Sequence, residues 1–194
     1  METTGSFIAS LFTTLSLVGL AEVGDKSQLV CMALAVRYRP APVLVGAIVA
    51  FALLNLLAVA FGAAVADWFA PWVVTLLVSV LFLAFGIHAL RAGVEEEPES
   101  VVPRGGHGVL FSTLLLIFMA EFGDKTQVAV AGLAGTLQPL AVWIGATLAL
   151  AITSALGVWA GRTVLQRLPV RLLHRISGVL FLLMGVVALA SLLY

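Results

Sequence analysis

The hexapeptide EVGDKS at residues 22–27 recurs as EFGDKT at residues 121–126, and a glutamine follows each copy. Each copy lies inside a long apolar stretch that contains no other charged residue. A charged side chain near the centre of a bilayer costs at least about 2.5–3.5 kcal/mol. The four carboxylates and two lysines of these motifs therefore need a compensating partner, which we expect to be a divalent metal ion in transit.

The composition of the chain indicates whether water or lipid surrounds the folded protein. Of the 194 residues, 62% are hydrophobic and only 10% are charged, which leaves too little polar surface for a water-soluble globule. The sequence therefore predicts an integral membrane protein. Its single cysteine, Cys31, excludes an internal disulfide and a cysteine-rich zinc site. Residues 1–6 lack the basic segment of a signal peptide, so we expect the first apolar stretch to be a retained helix.

Six apolar stretches are long enough to cross a bilayer as helices, since a span needs about 20 residues. They cover about residues 7–36, 42–66, 71–91, 109–135, 138–162 and 171–193. Their continuous apolar character differs from the alternating pattern of a membrane β-barrel. The sequence therefore predicts an all-α membrane protein with one domain over residues 1–194. A polar linker at about residues 92–108, with the acidic run Glu95 to Glu99, divides it.

The two halves of the chain are copies of each other. A shift of 99 residues aligns residues 22–86 with residues 121–185, and 22 of these 65 positions are identical. Each copy, at about 7–91 and 109–193, contains three spans, and an odd number of spans inverts the second copy in the membrane. The predicted fold class is therefore six transmembrane helices in two inverted-topology three-helix repeats. Secondary transporters use this plan, with the binding site near the midplane where the repeats meet.

The arginines predict the orientation in the membrane. All eight lie in or beside alternate connections between the spans, and the other connections contain none. By the positive-inside rule, the arginine-containing connections are cytoplasmic and both termini face outward. The arginines are Arg37, Arg39, Arg91, Arg104, Arg162, Arg167, Arg171 and Arg175.

The motifs place oxygen ligands close together. Glu22 and Asp25 are three residues apart, as are Glu121 and Asp124, so each pair shares one face of a helix. Oxygen ligands suit Ca²⁺, Mn²⁺ or Mg²⁺ better than Zn²⁺ or Cu²⁺. The motif glycines permit either close helix approach or local unwinding. The residues that we expect to support the site are Gln28, Gln127, Lys26, Lys125, Ser27, Thr126, Gly24 and Gly123.

The paired Glu-x-Gly-Asp-Lys-(Ser/Thr) motifs on the first and fourth of six helices resemble those of the Gdt-type family of small cation transporters. The resemblance covers nearly the whole chain. It implies metal ligands at Glu22, Asp25, Glu121 and Asp124, with Gln28 and Gln127 as helpers. Bacterial members of the family export manganese, and Golgi members exchange Ca²⁺ or Mn²⁺ for protons. The resemblance thus implies a manganese exporter in the inner membrane.

Charge balance gives a hypothesis for coupling. Four carboxylates and two lysines leave two uncompensated negative charges, which one divalent ion or two protons can neutralise. We therefore expect alternating access, with protons as the counter-ion. The expected partners are the lipid bilayer, the divalent cation and protons, with no resident cofactor, nucleic acid or partner protein.

Other functions fit parts of the pattern. Ca²⁺ as the main substrate and a divalent cation channel are alternatives within transport. The motifs could instead form a structural salt-bridge cluster, although two negative charges would then stay uncompensated. Intramembrane aspartyl proteases use Gly-x-Gly-Asp, but Glu22 and Glu121 stand where that motif requires its first glycine. Asn55 and Ser154, at equivalent positions, are expected either to line the ion path or to hydrogen-bond between helices.

Overall fold

The computed structural model describes residues 2–23, 25–91, 108–164 and 170–192, which form eight α-helices and no strand. The helices are α1 (Glu2–Glu22), α2 (Lys26–Arg37), α3 (Pro40–Trp68), α4 (Pro71–Arg91), α5 (Gly108–Glu121), α6 (Lys125–Thr136), α7 (Pro139–Val164) and α8 (Val170–Ala190). Gly24 and all but the last residue of the predicted linker lie outside the described residues. So do the side chains of Lys26, Arg37, Arg104, Arg162, Arg167 and Arg171.

Prolines begin three of the helices. Pro40, Pro71 and Pro139 are the first residues of α3, α4 and α7, within two residues of the span starts expected from hydropathy. Proline suits the first turn of a helix because its φ angle is already helical and the N–H that it lacks has no intrahelical partner there. The connection before each of these helices therefore ends at the proline, close to the helix start expected from hydropathy.

Each motif interrupts a helix instead of lying within one. The apolar stretch at 7–36 is divided into α1 and α2, and the stretch at 109–135 is divided into α5 and α6. In the second break, Gly123 adopts a φ angle of +81°, which a residue with a Cβ rarely adopts. Of the two roles expected for the glycines, local unwinding is the one found at Gly123.

The described helices have the length and surface of membrane helices. Three stretches are long and apolar enough to cross a bilayer, namely Thr4–Glu22, Pro40–Trp68 and Pro139–Trp159. Shorter apolar stretches lie in α4, α5 and α8. Large apolar side chains point outward, and Trp68 and Trp159 are each 86% exposed. Such a surface suits lipid, so the prediction of an all-helical membrane protein is confirmed.

The two halves of the chain pack against each other in reciprocal pairs. A Cβ added at Gly46 of α3 would lie 2.5 Å from the main-chain oxygen of Leu110 in α5. The equivalent position, Gly145 of α7, has the same relationship to Leu11 of α1, at 2.8 Å. In the same way Gly86 packs on Leu182 and Gly185 on Leu83, which joins α4 to α8. Small residues let these helices approach closely, and each of these four contacts has a counterpart 99 residues away in the chain.

Candidate metal site

The two motif breaks meet in the interior of the protein. Glu22, Asp25 and Asp124 each place one carboxylate oxygen so that all three atoms lie within 4.8 Å of one another. Glu22 is completely buried and Asp25 is 9% exposed. Carboxylates so close together repel one another, and burial removes their hydration. The cluster can persist only if cations or hydrogen-bond donors compensate it.

The compensating donors come mainly from the first turn of α6. The Thr126 hydroxyl donates to Oε1 of Glu22, and the Lys125 Nζ lies 2.9 Å from Oδ2 of Asp25. Ser27 adds a longer contact from within the first motif, with Oγ 3.4 Å from Oε2 of Glu22. The second motif therefore supplies a hydrogen-bond donor and a positive charge to the carboxylates of the first motif.

Both breaks use the same local backbone turn. The amide of Asp25 donates to the carbonyl of Glu22 at 3.2 Å, and the amide of Asp124 donates to that of Glu121, also at 3.2 Å. Asp124 then caps α6, since its carboxylate accepts from the amide of Thr126 at 3.5 Å. A short turn followed by a capped helix thus directs Asp124 toward the other motif.

The motif glutamines hold the breaks to the long helices. Gln28 Nε2 donates to the main-chain oxygen of Thr153 in α7 at 2.9 Å, and Gln127 Nε2 donates to that of Leu54 in α3 at 3.2 Å. The Gln127 Oε1 also accepts from the amide of Gly123 at 2.6 Å, inside the break. These contacts give the glutamines a structural role, and their expected role as helper ligands stays a prediction.

Glu121, the fourth expected ligand, lies beside the cluster. It is 8% exposed and close enough to Glu22 to repel it electrostatically, but it is not one of the three described carboxylates that converge within 4.8 Å. The contribution of Gly24 and of the Lys26 side chain falls outside the described residues. Of the four expected ligands, the structure therefore brings three together and places the fourth next to them.

Several contacts of the site have no signal in the sequence. The carbonyl groups of Leu54 and Thr153 belong to apolar helices, and only the tertiary fold reveals that they accept hydrogen bonds. Asn55 donates to Thr147 at 3.2 Å, which joins α3 to α7. Of the two roles expected for Asn55, lining the ion path or hydrogen bonding between helices, the structure shows the hydrogen bond.

Comparison with known proteins identifies the family. The family model described as divalent cation/proton antiporter GDT1 matches residues 10–97 and 109–193. The chain belongs to the GDT1 family. This membership confirms the resemblance to Gdt-type transporters. It makes the protein a membrane transporter of divalent cations and not an enzyme, so the protease alternative is discarded.

Curated GDT1 relatives align along most of their length. A protein of Vibrio cholerae named "Putative manganese exporter" is 32% identical over 178 residues, which cover 90% of this chain and 88% of the relative. A GDT1-like protein of Synechocystis is 31% identical over 194 residues, covering 90% and 93% of the two chains. GDT1-like protein 5 of Oryza sativa is 25% identical over 228 residues, covering 96% of each. No solved structure matches the chain significantly.

Proposed function

We propose that this GDT1 protein exports Mn²⁺ from the cytoplasm in exchange for protons, through one site formed by Glu22, Asp25, Glu121 and Asp124. The observation that carries the proposal is the convergence of carboxylates from two separate motifs within 4.8 Å. Ca²⁺ is the second candidate substrate, because it also binds carboxylate oxygens. The name of the Vibrio cholerae relative supports Mn²⁺.

The spacing of the carboxylates suits a single bound ion. Protein oxygens lie about 2.3–2.6 Å from Ca²⁺, so two ligands of one ion are at most roughly 5 Å apart. The three oxygens of Glu22, Asp25 and Asp124 already satisfy this limit. Small side-chain movements would bring them onto one ion, and we infer that Glu121, which is buried and acts electrostatically on Glu22, completes the set.

The net charge of the site favours binding of either one divalent ion or two protons. The two motifs together carry four carboxylates and two lysines, which leaves two negative charges when all are ionised. An uncompensated charge of this size crosses a low-dielectric barrier at a high cost. One divalent ion or two protons would neutralise it, so alternation between the two loads is an exchange of one metal ion for two protons.

The reciprocal packing of the halves supports alternating access. Pairs such as Gly46 with Leu110 and Gly145 with Leu11 are related by the 99-residue shift, as a two-fold relationship between inverted repeats requires. Transporters with inverted repeats bind their substrate where the repeats meet and expose it to each side in turn. A channel needs a continuous path with several weak sites, which a single buried carboxylate cluster does not provide.

The orientation follows from the arginines. We place the connections that contain them on the cytoplasmic side of the inner membrane, with both termini outside. In this arrangement the acidic linker faces the cytoplasm. A proton gradient directed inward would then drive the metal ion outward.

Reconstitution in proteoliposomes tests the proposal. Flux of Mn²⁺, Ca²⁺, Mg²⁺ and Zn²⁺ would be measured with and without a pH gradient, while a fluorescent indicator follows internal pH. We expect Mn²⁺ flux accompanied by opposing proton movement, and little flux of Zn²⁺. Metal flux without proton movement at any pH gradient would refute the exchange, and absence of flux for every divalent ion would refute the transport function.

A further inference from the structure

We propose that Lys125 is a built-in competitor for the metal: its ammonium group pairs with Asp25 in the empty site, an incoming ion displaces it, and its return promotes release. This inference rests on the proposed transport function and specifies how the same site is emptied. It assigns to Lys125 a role in turnover and not in metal coordination.

The position of the ammonium group carries the inference. Lys125 Nζ lies 2.9 Å from Oδ2 of Asp25, and Asp25 is one of the three carboxylates that converge within 4.8 Å. A metal ion bound to Asp25 would lie within a few ångströms of this ammonium, and like charges at that distance repel strongly in a poorly hydrated site. An ion that binds Asp25 through Oδ2 therefore takes the place of the ammonium group.

The two partners of this ion pair differ in their freedom to move. Asp25 is held in the backbone turn by its amide, which donates to the carbonyl of Glu22, and its side chain is only 10% exposed. The Lys125 side chain is 30% exposed and carries its charge on a flexible four-carbon stem. The ammonium can thus withdraw from Asp25 while the carboxylate stays in place to receive the ion.

The neighbouring residue cannot perform the same task. Thr126 also reaches from α6 to the first motif, where its hydroxyl donates to Glu22. A hydroxyl carries no net charge, so it can stay beside a bound metal without strong repulsion. Among the described contacts between the motifs, the Lys125–Asp25 ion pair is therefore the one that places a positive charge beside the converging carboxylates.

Competition predicts opposite effects on affinity and on turnover. Removal of the charge in Lys125→Gln should tighten Mn²⁺ binding at least about tenfold, because a cation next to the site no longer opposes the ion. The same variant should transport more slowly, since no ammonium group returns to Asp25 when the ion leaves. Lys125→Arg keeps the positive charge and should bind Mn²⁺ nearly as the wild type does. A purely structural bridge would instead lower both affinity and turnover when it is lost.

Titration calorimetry with Mn²⁺ on the purified protein, together with Mn²⁺ flux in proteoliposomes, measures these effects. Tighter binding with slower flux in Lys125→Gln, and Mn²⁺ affinity near that of the wild type in Lys125→Arg, is the expected result. Unchanged or weaker binding by a folded Lys125→Gln protein would overturn the inference alone. Absence of Mn²⁺ and Ca²⁺ binding by the wild type would refute the proposed function as well.

A second measurement uses the wild type and does not depend on the folding of a variant. The chain contains only two lysines, Lys26 and Lys125, so acylation by an amine reagent can be assigned to each by mass spectrometry. We expect saturating Mn²⁺ to increase the acylation rate of Lys125 several-fold, because the ion frees its amine from Asp25. A rate that Mn²⁺ leaves unchanged or lowers would overturn the inference.

Discussion

The side-chain amide of Gln28 donates a hydrogen bond to the main-chain oxygen of Thr153 at 2.9 Å. This contact fixes α2, the helix after the first motif, to α7 of the other repeat. Gln127 and Leu54 form the reciprocal pair, at 3.2 Å. Gln127 follows Gln28 by 99 residues, and Thr153 follows Leu54 by the same number. Each half therefore positions the motif of the other half, which explains how two distant hexapeptides come to lie side by side.

Replacement of Gln28 by methionine separates its structural role from a ligand role. Methionine keeps the length of the side chain but cannot donate to Thr153, so we expect a loss of about 1 kcal/mol in stability. Mn²⁺ affinity should change little, whereas Gln127→Met should lose more stability, because Gln127 also accepts from the amide of Gly123. Thermal unfolding in detergent and calorimetric Mn²⁺ titration measure the two effects. Loss of affinity without loss of stability would favour the ligand role instead.

The hydroxyl of Thr126 is expected to matter more than the methyl group of the same side chain. Thr126→Val keeps the shape but removes the donor to the buried Glu22, and hydrogen bonds to charged groups contribute about 1.5–3 kcal/mol. We expect this variant to unfold at lower temperature and to transport Mn²⁺ more slowly. Thr126→Ser is the matched control, because serine stands at the equivalent position 27. Wild-type behaviour of the valine variant would show that the contact is dispensable.

The close helix crossings are expected to tolerate no added methyl group. Gly46→Ala and Gly145→Ala would each place a Cβ within 3 Å of a main-chain oxygen, so the helices must separate, at a cost of about 1–3 kcal/mol. Gly5→Ala is the control, since nothing lies within 4 Å of a Cβ at that position. Thermal unfolding should rank the first two well below the wild type and the third near it. Equal stability of all three would contradict the packing described here.

The orientation in the membrane can be tested with fusions. A reporter that functions only outside the cytoplasm should be active when fused after Tyr194, because the arginine asymmetry places that terminus outside. A cytoplasmic reporter inserted between Glu95 and Glu99 should also be active, since the linker is assigned to the opposite side. Cytoplasmic activity of the fusion after Tyr194 would overturn the inverted-repeat assignment.

The sequence predicted the helical membrane fold because the features that determine this fold lie close together along the chain. Apolar stretches, the prolines at positions 40, 71 and 139 and the repeated motif each act over a few residues, and the structure places helix starts at these prolines. The sequence also allowed unwinding at the motif glycines, but it could not choose between unwinding and close approach. That choice depends in part on a tertiary contact: Gln127, which accepts from the amide of Gly123, also donates to the main-chain oxygen of Leu54.

The sequence predicted which side chains form the candidate site, but not the contacts between the two motifs. Repetition of the motif was enough to expect Glu22, Asp25 and Asp124 in one place. It did not indicate that Lys125 and Thr126 would reach across to the first motif, since spacing along one helix describes only neighbours on that helix. Contacts between the repeats depend on the packing of α3 and α7, which apolar composition does not specify.

Mn²⁺ transport by four single variants tests whether both motifs form one metal site. In Glu22→Gln, Asp25→Asn, Glu121→Gln and Asp124→Asn, an amide keeps the shape of each side chain and removes the charge that a divalent ion requires. Flux into proteoliposomes would be compared with the wild type at equal amounts of reconstituted protein. We expect each variant to be inserted and abundant but to lose Mn²⁺ transport. Near-normal flux in any two of the four would place the metal site elsewhere in the protein.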